Sequence, residues 1–75
     1  MMMYKIDYHG WKTEAALQDL ESVIGSIRKL RQTQQAEFIT GHGIIQDEVL
    51  KLLKSYSLEP SIQLGNAGVV VVTIE

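Results

Sequence analysis

Residues 3–9, Met3-Tyr4-Lys5-Ile6-Asp7-Tyr8-His9, alternate with a period of two. Tyr4, Ile6 and Tyr8 fall on one side, and Met3, Lys5, Asp7 and His9 on the other. That is the pattern of a strand with one face on a core and one polar face. Gly10-Trp11-Lys12 breaks it, and Thr13 reads as a helix N-cap with Glu14 in the first turn. Ala16, Leu17, Leu20, Val23, Ile24, Ile27 and Leu30 then recur at steps of three and four, with Arg28, Lys29 and Arg31 near the end. The spacing predicts an amphipathic helix of about five turns, cationic at its negative dipole end.

Gln32 to Gln35 reads as a polar connection, and 36–40 as a second strand. Gly41-His42-Gly43 forces a tight turn, because glycine reaches positive φ without steric cost. A second helix is expected over roughly 46–57, burying Val49, Leu50, Leu52, Leu53 and Tyr56. Ser61 to Leu64 predicts a short strand, Gly65-Asn66-Ala67-Gly68 a hairpin turn, and Val69 to Ile74 a β-branched closing strand. The order is βαβαββ. It predicts an α/β (α+β) two-layer sandwich, with a four-stranded mixed sheet and both helices on one face. Helices on both faces rank second, since they would bury Lys5 and Asp7.

Composition narrows the field. Seventy-five residues allow one domain, expected to span 1–75, with a small core. A hydrophobic share of 45% against 21% charged, with one proline, favours folding over disorder. The absence of cysteine excludes a disulfide framework, a zinc finger and a thiol nucleophile. No apolar signal-peptide core follows Met1-Met2-Met3, and the run Val69 to Val72 is far too short to span a bilayer, so the expected location is the cytoplasm, away from the membrane. The net charge of −2 opposes tight binding of duplex nucleic acid through phosphates, and protonation of His9 and His42 would raise it to 0. Binding is therefore expected to improve below about pH 6.5, where histidine as a class titrates.

The candidate chemistry follows from the topology. If the first two strands are parallel, their carboxyl ends share one edge. Asp7, His9 and Gly10 then meet Thr40, Gly41, His42 and Gly43, where open α/β sheets commonly hold ligands. His9 or His42 would serve as general base on water or stabilise a phosphorane-like state as imidazolium. Asp7 would orient an imidazole or help hold a divalent cation such as magnesium or manganese. Two histidines and one aspartate at these positions match no structural zinc spacing, and neither a Ser-His-Asp arrangement nor a phosphate-loop lysine is evident. Bland roles weigh against each piece: a strand-end Asp often accepts hydrogen bonds from a neighbouring loop, a strand-end His often hydrogen-bonds at the surface, and strand-to-helix turns need glycine. Trp11, beside His9, is the aromatic residue most open to a base-stacking role.

Ile6-Asp7-Tyr8-His9-Gly10 resembles the L-D-x-H motif of the Smr (small MutS-related) domain, and Thr40-Gly41-His42-Gly43 resembles its T-G-x-G signature. The element order and the Gly-rich turn before the closing strand are also similar, so the resemblance covers nearly the whole chain. It implies a βαβαββ sandwich like the C-terminal domain of bacterial translation initiation factor three. It further implies nucleic-acid binding and, in some members, endonuclease activity that nicks DNA or cleaves RNA. Asp7 and His9 match the first motif, and Thr40, Gly41 and Gly43 the second; His42 occupies the variable position. Many relatives continue with a small or Gly-containing loop and a basic residue, whereas this chain runs Ile44-Ile45-Gln46-Asp47-Glu48. Those two carboxylates would compete with phosphate for the helix amides.

Three functions are thus expected in competition. The first is a nicking endonuclease with Asp7, His9 and His42 around a phosphodiester, which would extend to DNA repair. The second is a non-catalytic module for branched or single-stranded nucleic acid, using Gly10, Trp11, Lys12, Thr40, Gly41 and Gly43, with Lys5, Lys51 and Lys54 as further phosphate contacts. The third is a protein-interaction domain that self-associates through a sheet face or the edge of the last strand.

Overall fold

The computed structural model describes residues 3–75, the side chain of Met3 excepted, so the face expected for that side chain lies outside the described residues. The chain forms β1 (Met3–Asp7), α1 (Thr13–Lys29), β2 (Gln34–Ile39), α2 (Ile44–Ser55), β3 (Ser61–Ile62) and β4 (Val69–Ile74). The result is an α+β fold with one mixed sheet in the order β1-β2-β4-β3. β1 runs parallel to β2, and β4 is antiparallel to both β2 and β3.

Both helices cover one sheet face. Tyr8, Ala36, Phe38, Val70, Val72 and Ile74 from the sheet share a single core with Ala16, Leu20, Ile24, Ile27, Val49 and Leu53 from the helices. Lys5, Gln35 and Thr73, one position out of phase, are exposed on the opposite face. The alternation that predicted a half-buried first strand holds in β1, where Tyr4 and Ile6 pack against the core and Lys5 and Asp7 are exposed.

Several boundaries differ from the sequence expectation. Thr13 is the first helical residue and not the cap; Lys12 holds that place in extended backbone, with no side-chain capping bond. Leu30, expected on the apolar stripe of α1, is its C-cap and lies exposed, because the chain turns at Arg31 with φ 55°. β1 ends at Asp7, although Tyr8 N–H still donates to Ile39 O at 2.8 Å. β2 takes in Gln34 and Gln35, and leaves Thr40 outside, because both glutamines pair with the end of β4. α2 lies two residues earlier than expected at each end, and β3 keeps only Ser61 and Ile62, leaving Leu64 fully in solvent at 98% exposure. Among the described residues, no helix is long and apolar enough to cross a membrane.

Tyr8 locks the site-bearing end of β1 to the core. Its ring stacks on Phe38 at a centroid distance of 5.7 Å, and its hydroxyl donates to Asp19 Oδ2 at 2.7 Å. Burial, then the hydrogen bond to Asp19 and the charge of that carboxylate, pushes the phenol far above its ordinary pKa. The unfolded chain releases this proton near pH 10 and the folded chain retains it. Stability from this group is thus intact below about pH 10 and falls as the pH rises further. Tyr8→Phe is expected to cost about 1 kcal/mol at neutral pH and to flatten the alkaline decline. Urea titrations between neutral and alkaline pH check this; an equally steep decline in the variant would reject it.

Candidate functional site

The carboxyl ends of β1 and β2 open onto a groove of about 620 Å³ on the helix-free face. His9 and His42 both line it, with Lys5, Glu37 and the backbone of Gly41 and Gly68 among the other walls. The parallel pairing of β1 with β2 creates this convergence, since it carries the two Gly-flanked histidine segments to the same edge.

Local hydrogen bonds set the first segment. Asp7 Oδ1 accepts the backbone N–H of His9 at 2.8 Å, and Trp11 N–H donates to Tyr8 O at 3.0 Å. Gly10, at φ 84°, supplies the left-handed residue that this turn requires. Asp7 therefore shapes the loop that carries His9, and its side chain is not among the groove walls. Trp11 also stands outside the groove: its ring meets Tyr8 edge-on at 5.1 Å and stays 43% exposed. Lys12 is exposed at the start of α1, and neither it nor Gly10 borders the groove.

The second segment is fixed by the β3–β4 hairpin. Thr40 and Gly41 N–H both donate to Gly68 O, at 2.9 and 3.1 Å. Buried Thr40 donates its hydroxyl to Gly41 O at 2.9 Å, with Gly68 O also in reach at 3.3 Å. Thr40 is thus a structural clamp behind the groove. Gly43, at φ 109°, caps α2 and accepts the N–H of Asp47 at 3.1 Å. The first turn of α2 carries Asp47 as expected, while Glu48 lies 3.9 Å from Lys51.

Gly41 brings the two segments together. A Cβ there would lie 3.2 Å from Cδ2 of His9, and its backbone is already at φ 68°. The His9 ring thus packs over a residue with no side chain. Gly41→Ala is expected to cost about 1–2 kcal/mol from the positive φ and to displace the imidazole. A lowered urea midpoint with changed His9 ring resonances would bear this out; unchanged resonances would sink the packing argument.

Sequence reasoning passed over three contributors. Gln46 donates its side-chain N–H to Ala67 O at 2.6 Å and reaches Thr40 Oγ1 at 3.5 Å, tying α2 to the hairpin. Its signal was a polar residue on the same helical stripe as Val49, Leu50 and Leu53. Glu37, opposite Lys5 across the β1–β2 pair, lies 4.0 Å from its Nζ and accepts from Gln63 Nε2 at 3.4 Å. The hairpin residues 65–68 form a groove wall only because β4 inserts beside β2, which no local pattern announces.

The charge in the groove is finely balanced. Lys5 and Glu37 offset one another in its wall. Among the described residues, no three His, Cys, Asp or Glu side chains come together as a metal-binding group. Asp7 Oδ1 is engaged by the His9 N–H, and Glu37 by Gln63 and Lys5. No family model and no curated protein matches the chain.

Proposed function

We propose that the domain acts on nucleic acid in the cytoplasm, as a nicking endonuclease for DNA or RNA phosphodiesters, with the groove as its active site. The observation that carries the reading is the placement of His9 and His42 on one groove walled by glycine backbone. A phosphodiester needs close backbone approach, a proton acceptor for the attacking water and a donor for the departing oxygen. One imidazole takes the proton of water as its oxygen bonds to phosphorus. The other, as imidazolium, gives a proton to the oxygen whose bond to phosphorus breaks. The paired motifs, which resemble the Smr domain, support the same reading.

Binding without cleavage is the second reading, and the place of Asp7 favours it: the carboxylate accepts the His9 N–H and does not line the groove, so it orients no imidazole there. Supercoiled plasmid and structured RNA, incubated with the domain at low salt with and without magnesium or manganese, separate the two. Nicked circle or RNA fragments support the nuclease. Salt-sensitive gel shifts with intact substrate support the binding module, and neither result ends both readings.

A further inference from the structure

The sheet order leaves β1 on an outer edge: among the described residues no strand pairs with its outer side along Met3–Asp7, whereas the opposite edge, β3, is only two residues long. Because Tyr8 N–H donates to Ile39 O, the peptide groups of Tyr8, Ile6 and Tyr4 face β2. Those of Lys5 and Asp7, one residue out of phase, face away from the sheet. The exposed edge therefore offers two outward peptide units, each under a charged side chain of opposite sign.

We infer that β1 is a self-pairing edge, and that its partner is a second copy of this chain in antiparallel register centred on Ile6. In that register Lys5 of each copy stands opposite Asp7 of the other, and Ile6 opposite Ile6. The two outward residues of each copy then exchange N–H and C=O groups in pairs, giving four backbone hydrogen bonds across the seam. Each Lys–Asp couple is a directly opposed cross-strand pair of opposite charge. A charge on an edge strand ordinarily blocks such pairing. Here the two charges are two residues apart and of opposite sign, so an antiparallel copy meets attraction at both positions. Shifting the register to oppose Lys5 with Lys5 sets like charges against each other and leaves Asp7 facing Met3, so the charges select the register.

Pairing of this kind yields a continuous eight-stranded sheet with two-fold symmetry. Both grooves open on the same face, and Lys5 lies at the seam and in the groove wall at once. The inference stands independently of whether the groove cleaves, binds or does neither.

Sedimentation velocity tests it. The wild-type chain is expected to shift from monomer to dimer as its concentration rises to about 500 μM, the weak regime of a small interface. Lys5→Asp and Asp7→Lys each place like charges at both couples and are expected to weaken the dimer at least about tenfold. An equimolar mixture of the two variants restores both attractions and is expected to dimerise again. In parallel, hydrogen exchange at the Lys5 and Asp7 amides of the wild type is expected to slow with concentration, a measurement that needs no variant. A wild type that stays monomeric throughout, as a chain whose edge takes a different protein would, overturns the proposal. So does a single variant that dimerises as wild type does, or a mixture that does not recover.

Discussion

His9→Ala is expected to lower the rate of plasmid or RNA cleavage by about 10²–10⁴-fold, the range for loss of a positioned acid or base. His42→Ala is expected to fall in the same range. Both side chains border the groove, and both are exposed, so neither substitution empties the core. The folded state of each variant should match wild type within about 0.5 kcal/mol, as surface substitutions generally do. A loss of rate is therefore chemical and not a consequence of unfolding. The double variant should be scarcely slower than either single one, since groups that act in one proton relay are not additive. Cleavage within twofold of wild type in both variants would remove the two histidines from the mechanism. Asp7→Asn is expected to be milder, because its carboxylate accepts the His9 N–H, which an amide oxygen also accepts. A positioning role predicts a partial loss of kcat there with KM unchanged.

The largest effect on stability is expected at Phe38→Ala. Phe38 is fully buried in β2, pairs with both Ile6 and Val70 through the sheet, and stacks on Tyr8. Removing a buried aromatic ring costs about 3–5 kcal/mol, through lost transfer energy and the cavity left behind. A domain of this length is held by only about 4–11 kcal/mol, so the variant should be marginal at room temperature. Circular dichroism melts are expected to show a midpoint lowered by about 15 °C or more. Trp11→Ala, at a partly exposed ring, should cost much less. Equal losses at the two positions would contradict the assignment of Phe38 to the centre of the core.

The two effects fall on neighbouring parts of one assembly. Tyr8 joins them, since its ring packs on Phe38 while the next residue is His9. The core is thus what holds the imidazole over Gly41. Substitutions that loosen Phe38 should reduce activity even where enough folded protein remains, because His9 is placed by packing one residue away.

Much of this was legible in the chain. Tyr4, Ile6 and Tyr8 against Lys5 and Asp7 set which face of β1 turns inward, because side chains in a strand alternate strictly. Ala16, Leu20, Ile24 and Ile27 fixed the buried stripe of α1, and the glycines at 10, 41 and 43 marked the sharp turns around the groove, all three at positive φ. These properties are local: each depends on periodicity or on a single residue's permitted backbone angles. The parallel pairing of β1 and β2 also followed, since a helix between two strands returns the chain in the same direction.

Only the tertiary structure decided the rest. The insertion of β4 between β2 and β3 brings Val69 beside Ile39 and lays the hairpin turn against Thr40 and Gly41, and no local spacing specifies which strands will be neighbours. That choice made Gln46 and Gly68 part of the groove's frame. Asp7 caps its own loop and Trp11 stands outside the groove, by contrast, because those side chains answer to contacts close in sequence. Placing His9 and His42 on one groove required both kinds of information: the turns that expose each imidazole are local, and the sheet that brings them together is not.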